Sequence, residues 1–240
     1  MSQKYPGGFI TKSPVAPTAL VAKGIWTLDQ AMQLQKQGLW PAPPPAIGAA
    51  YGGGFFAGQI STAGNGIADY NIVVGPFASA NSASKQWKTS ATSTAGTTSP
   101  INGPANSAAM NNASHPAAEF CEAVNVGGFT DWYMPARYEL EVCYYNLKPT
   151  TQGNNASSGG NPYSVPTRSG NYGAGDPAQT TAALFIVTTG AQAFEATTAY
   201  WSSTEGSSTG AWKRGFYSGY QYNSSKTYSY NVRAIRRIAV

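Results

Sequence analysis

Apolar residues recur along this chain in a few spacings, and each spacing predicts an element. FFAGQI at 55–60 and DYNIVV at 69–74 are short β-branched or aromatic runs bounded by glycines, which predicts two strands. Phe120, Cys121 and Val124 then fall at i, i+1 and i+4, predicting a helix over 116–124, with Ser114 as its cap and Pro116 in its first turn. Gly127-Gly128 ends it, and 129–135 reads as an extended bridge. A second helix is predicted over 136–147 from the stripe Leu140, Cys143, Tyr144 and Leu147, with Pro149 as its stop. Beyond Ala182 the pattern returns to strands, at 184–187, 199–203, 211–216 and 230–236. In the last of these, Val232, Ala234 and Arg236 point one way and Arg233, Ile235 and Arg237 the other.

Two polar stretches interrupt the pattern. Residues 78–114 are biased toward Ala, Ser, Thr, Asn and Gly, with Trp87 the one large apolar residue of note, and read as a long surface loop or irregular insertion. Residues 150–180 read as a second loop, of Gly, Asn and Ser; loops this long in compact domains are more often functional or disordered than neutral. The division expected is therefore an arm over 1–50 and one domain over 51–240. Prolines 6, 14, 17, 41, 43, 44 and 45 stiffen the arm into extended segments. It carries one helical signal at 27–38, with Thr27 and Gln30 as a capping box and Gly38 as the stop. A helix this short is unstable alone in water. Trp26, Leu28, Met32, Leu34 and Trp40 are therefore expected to dock it on a partner chain or on symmetry mates.

Composition narrows the class. Only 10% of residues are charged, and the net charge is +5. Lys213, Arg214, Lys226, Arg233, Arg236 and Arg237 all lie in the last thirty residues. They either flank strands and pair locally or form a basic rim suited to an anionic surface. No known nucleic-acid motif accompanies them, so nucleic acid is not an expected partner. The opening MSQKYPGGFITKSPVAP has no apolar run after its lysine, and no stretch approaches the ~20 apolar residues of a membrane span. The expectation is synthesis in a host cytoplasm without a signal peptide, and no membrane insertion. Cys121 and Cys143 are expected as two buried free thiols, with a disulfide as the lesser alternative. A lone His115 excludes His-rich zinc sites, and no cofactor or metal is expected.

The last forty residues are the most telling. Large anchors (Trp201, Trp212, Phe216, Val232 and Ile235) alternate with a run made almost wholly of Tyr, Ser, Asn and Gly. Tyr217 to Asn231 reads YSGYQYNSSKTYSYN, five tyrosines in fifteen residues. Tyrosine offers rigid amphipathic contact area at low entropy cost, and Ser, Asn and Gly adapt around it, which suits a recognition surface.

The order helix, GGFTDWYMPARYEL, helix, long loops, YWSSTE, AW, F, G, K and VRAIRR resembles the C-type-lectin-like domain of the Lcl C-terminal-like family, over roughly residues 70–240. That family has variants on phage tail fibres and on retroelement-diversified proteins. The resemblance implies an α+β fold, C-type-lectin-like, of two helices and a small twisted antiparallel sheet, here preceded by the extended arm. It implies scaffold roles for Asp131, Trp132, Pro135, Glu139, Trp201, Ser202, Ser203, Trp212, Phe216 and Arg233. The displayed surface it implies is Lys213, Arg214, Tyr217, Ser218, Tyr220, Tyr222, Asn223, Ser224, Ser225, Tyr228 and Tyr230. The Glu-Pro-Asn, Gln-Pro-Asp and Trp-Asn-Asp triplets of calcium-dependent sugar-binding lectins are missing, as are the late cysteines of the formylglycine-generating relatives. The arm resembles N-terminal segments of phage tail-fibre and virion proteins.

Catalysis finds little footing. Asp131 and Glu139 could be paired for glycoside hydrolysis, but Asp131 reads better as a cap or turn and Glu205 as a partner of a nearby arginine. His115, beside a helix-starting proline, reads as a surface or capping residue rather than a triad base. The reading is a non-enzymatic virion protein of a phage tail fibre or tail tip. It would bind a host surface glycan or outer-membrane protein, act as a homotrimer, and be held to other virion proteins by residues 1–50. The alternative is a non-adhesive structural virion protein, a capsid decoration or connector.

Overall fold

The computed structural model describes residues 27–37 and 43–240. The first of these spans holds α1 (Leu28–Lys36). Its cap is reciprocal: Gln30 N–H donates to Thr27 Oγ1 at 3.2 Å, and Thr27 N–H donates to Gln30 Oε1 at 2.9 Å. Trp26, Gly38 and Trp40 lie outside the described residues.

Pro45–Ala239 forms one compact unit. Its elements are β1 (Ala50–Tyr51), β2 (Gly54–Ile60), β3 (Tyr70–Val74), α2 (Phe77–Ala80), β4 (Asn81–Gln86), α3 (Gly103–Ala108), α4 (Pro116–Glu122) and α5 (Arg137–Leu147). Then follow β5 (Ser164–Val165), a 3-10 turn (Ala183–Phe185), β6 (Ala199–Glu205), β7 (Gly210–Gly215), β8 (Gln221–Ser225), β9 (Ser229–Arg233) and β10 (Ile235–Ala239). The class is α+β, mostly sheet. One sheet runs β1-β2-β3-β10, with β5 also pairing to β2; the other runs β4-β9-β6-β7-β8. All pairings are antiparallel except a short parallel one, Tyr200 beside Asn231.

A two-stranded ribbon links the sheets. In one sheet β3 pairs with β10, and in the other β4 pairs with β9. Both segments of the chain therefore change sheet at the same place. There Gly75 N–H donates to Ala234 O at 3.0 Å, and Ala234 N–H donates to Ala80 O at 2.8 Å. The run 230–236, which reads as one strand, is thus two strands divided at Ala234. Every residue from Asn231 to Arg236 is buried, so the expected in-and-out alternation is lost. Arg233 fills the corner, donating from Nε to Gly75 O at 3.0 Å and from Nη1 to Gln192 O at 2.8 Å.

Helix α5 packs on β2, β3, β6 and β7. Leu140, Cys143, Tyr144 and Leu147 are buried as the stripe predicts, among Ile60, Ile72, Tyr200 and Phe216. A second core holds Trp87, Met110, Ala117, Cys121, Trp132, Trp201 and Val232, with α3 and α4 against β4, β6 and β9. Both cysteines are free and buried. Burial pushes both thiols above the usual range. An aromatic disulfide reagent should therefore find no fast-reacting thiol in the native chain and two after denaturation. One fast native thiol would contradict this packing.

Four local readings are corrected. Residues 78–114 hold α2, β4 and α3, and Trp87 is wholly buried, donating from Nε1 to Ser202 O at 2.9 Å. Low complexity conceals these elements because small residues are what a helix pressed against a sheet accommodates. Residues 184–187 form no strand: Ala183–Phe185 is a 3-10 turn, Ile186 and Val187 follow it irregularly, and of 184–187 Phe185 alone is buried. His115, not Ser114, takes the N-cap position of α4. Residues 45–49 belong to the domain rather than the arm, since Gly48 N–H donates to Phe56 O at 2.8 Å and Phe56 N–H to Ala49 O at 2.9 Å.

Candidate functional site

The hairpin of β7 and β8 carries most of the residues marked for display. β8 is an edge strand, and its register sets Lys213 opposite Tyr222, Trp212 opposite Asn223 and Arg214 opposite Gln221. Strand alternation then separates two faces.

On the first face, Lys213 Nζ lies 4.2 Å from the centre of the Tyr222 ring and 3.1 Å from that of Tyr230. Tyr220 stacks on Tyr222 at 4.8 Å, and Trp201 meets Tyr230 edge-on at 5.0 Å. Tyr217 closes over Gly215, where a Cβ would come within 2.6 Å of its ring. Burial pushes the Tyr222 phenol up to about 12, with Tyr230, Tyr217 and Tyr220 adding to the shift. The four tyrosines thus form one half-buried cluster around one lysine.

On the second face, Arg137 from α5 lies 3.9 Å over Trp212, and its Nε donates to Gln221 Oε1 at 2.6 Å. Tyr138 and Tyr163 extend this face, with ring centres 5.5 Å apart. Arg137, Tyr138, Tyr163 and Gln221 were not among the residues marked from sequence. The first three lie far from the hairpin along the chain, so no local signal joins them to it. Trp212, expected as scaffold, is half-buried here.

At the end of the hairpin away from its 216–220 turn, Asn223, Ser224 and Ser225 line an open depression of about 310 Å³. It shares Ser207 with a neighbour of about 430 Å³, lined by 93–96, Thr98 and 205–208. Tyr228 is 59% exposed, Asn223 is also exposed, and Ser218 is half-buried. Ser218 O accepts Asn155 N–H at 2.8 Å, which ties the 150–180 loop to the hairpin.

Two of the marked residues are not displayed. Lys213 and Arg214 are each 1% exposed. Arg214 turns inward, and its Nη1 donates to Tyr172 Oη at 2.9 Å and to Gly219 O at 2.8 Å. Gly219 has φ +70°, and a Cβ there would lie 2.3 Å from the Tyr144 ring, so this turn needs glycine.

The other basic residues do not form a rim either. Lys226 Nζ donates to Glu205 Oε1 at 2.6 Å and to the carbonyls of Thr92 and Ser208 at 2.8 and 2.9 Å. Arg236 grips Asp131 through two bonds of 2.8 Å, and Arg237 Nε donates to Glu139 Oε1 at 2.6 Å. Long irregular loops leave backbone carbonyls that no ladder satisfies, and multi-donor Lys and Arg side chains satisfy them.

The same pairings occupy the acids. Glu139 is fully buried, accepting also from Tyr133 Oη at 2.5 Å and Ala136 N–H at 2.7 Å. Glu141 is buried under Arg168, Asn161 and Tyr172. Glu205 pairs with a lysine rather than an arginine, and Asp131 serves an ion pair rather than a cap. His115 is buried, not at the surface, and bonds Thr94 Oγ1 and Asn112 Oδ1 at 2.9 Å each. Burial, then Lys88 and Lys226, push it down to about 4. Among the described residues no group of three or more His, Cys, Asp or Glu could hold a metal ion, and no helix is long and apolar enough to cross a membrane.

Against the curated proteins the chain finds no match. The family model described as the Lcl C-terminal domain matches residues 79–236, a span that begins in α2 and contains the whole β4-β9-β6-β7-β8 sheet. With that model covering well over half its length, the chain belongs to the Lcl C-terminal domain family.

Proposed function

We propose that this chain is a phage virion protein, of a tail fibre or tail tip, that binds a host-surface receptor through the β7–β9 surface. Its fold in this reading is C-type-lectin-like, and its role is adhesive rather than catalytic. One observation carries the reading. The anchors Trp201, Phe216, Val232 and Ile235 are fully or almost fully buried, while the tyrosines between them lie half-buried or exposed along the β7–β9 surface. A core would hide those phenols with fixed partners, whereas a recognition surface keeps rigid aromatic area near solvent. The carboxylates point the same way, since Asp131, Glu139, Glu141 and Glu205 are each engaged by a cation. The arm before Pro45 holds the chain to other virion proteins. Leu28 and Met32, 77% and 46% exposed on α1, are part of that contact. A homotrimer would raise a modest affinity per head by avidity.

The test is binding of labelled, clustered protein to intact host cells. A variant with Tyr217, Tyr220, Tyr222, Tyr228 and Tyr230 changed to Ala is compared with wild type, beside the milder pair Tyr220→Ala and Tyr228→Ala. The expected loss is at least roughly thirty-fold for the full set, or about 2 kcal/mol, at the scale of interface hot spots. Unchanged binding by both folded variants would remove the receptor surface from this hairpin. No binding by wild type would favour the structural alternative, a decoration or connector.

A further inference from the structure

Lys213 differs from every other basic side chain near the C-terminus. Lys226, Arg236 and Arg237 each hold a carboxylate, and Arg214 and Arg233 hold carbonyls. Among the described residues, Lys213 Nζ is buried with no carboxylate beside it and no acceptor in good hydrogen-bond geometry, and the phenol of Tyr230 gives it only partial support. The ring faces of Tyr222 and Tyr230 cover it. An ammonium carries three donors and strong hydration, and ring faces replace only part of what water supplied. An apolar side chain of similar length would fill the same space without that desolvation cost. No carboxylate pairs with it, and Asp131, Glu139, Glu141 and Glu205 are each committed to other cations.

We propose that Lys213 is the anchor for an anionic group, a carboxylate or phosphate on a host envelope polymer, with Tyr217, Tyr220, Tyr222 and Tyr230 as the aromatic walls that hold the attached sugar. The proposal rests on the reading of this surface as the receptor site and names the chemistry it recognises. Tyr222 is the gate. It lies on edge strand β8, half-buried, so its ring can swing off the ammonium without breaking a ladder between inner strands. The arriving anion then supplies the acceptor that Lys213 lacks, and the displaced ring is free to stack on a sugar face.

The test uses the full chain clustered on beads, as wild type, Lys213→Met and Lys213→Arg. The probes are oligogalacturonate for carboxylate, a phosphorylated lipopolysaccharide core oligosaccharide for phosphate, and neutral dextran, with intact host cells as a parallel arm. Wild type is expected to prefer one or both anionic probes to dextran by at least ten-fold, and which probe binds identifies the source of the anion. Lys213→Met should abolish the preference while keeping the wild-type melting temperature or exceeding it, and Lys213→Arg should retain most of it. Equal binding to dextran, failure of wild type to bind either anionic probe, or full preference in Lys213→Met would each overturn the proposal. Binding to cells that persists in Lys213→Met but falls in the tyrosine variants would overturn the lysine anchor and leave the receptor surface standing. Loss of cell binding by neither set would overturn both.

Discussion

Glu139→Ala is expected to destabilise the domain by about 3–5 kcal/mol, the cost of breaking a buried ion pair and leaving one charge unpaired. The carboxylate is wholly buried and joins three segments. It accepts from Tyr133 in the bridge before α5, from Ala136 N–H at the helix start, and from Arg237 in β10. Burial pushes this carboxyl up, and Arg237 pulls it back toward the charged form. Removal strands the guanidinium of Arg237, which is left with Ile101 O as its acceptor. For a chain of this size the loss corresponds to a fall in melting temperature on the order of 10 °C. Glu139→Gln should cost less, because an amide oxygen can still accept from Ala136 N–H. The double change Glu139→Leu with Arg237→Met should recover much of the loss, since no charge is then left unpaired. Thermal and denaturant unfolding of the three variants decides it, and a loss under about 1 kcal/mol for Glu139→Ala would contradict the burial described here.

Trp87→Ala is expected to cost a similar 3–5 kcal/mol. Its ring is wholly buried between the helices and the second sheet, and its indole N–H is a donor to Ser202 O. The change opens a cavity and leaves that carbonyl without the indole. Trp87→Phe keeps much of the volume and loses only the hydrogen bond and part of the contact, so it should cost roughly 1–2 kcal/mol. Equilibrium unfolding in denaturant separates the two. A neutral Trp87→Ala would restore 78–114 to the status of a surface loop.

These two residues also mark how far local reasoning reaches. Glu139 was legible as scaffold through the resemblance, but its burial and its partner Arg237 were not. The pairing spans 98 residues of chain, and no spacing in the sequence encodes it. Trp87 stood out as the one large residue in a run of small ones, yet the small residues around it read as loop. At the candidate site the tyrosines were legible from composition, because a dense Tyr/Ser/Asn run has few other uses. Lys213 and Arg214 were placed on display by the resemblance and are in fact enclosed. Adjacent residues on a strand face opposite ways, and here each side has aromatic cover.

Local periodicity and capping chemistry determined by themselves α1, α4, α5 and the strands β2, β3, β6 and β7, because such signals act over a few residues of chain. They also determined that two cysteines sit on apolar helix faces and that the C-terminal third alternates large anchors with adaptable polar residues. Only the tertiary structure decided that one apparent strand at 230–236 divides between two sheets at Ala234. It alone decided that five of the six C-terminal cations are crosslinks while the sixth, Lys213, is enclosed by tyrosine rings, and that Arg137 joins Trp212 across the fold. In a chain with few charges and long irregular loops, each buried carbonyl and carboxylate must find a donor wherever the packing brings one. That choice depends on distances through space, which the order of residues does not contain.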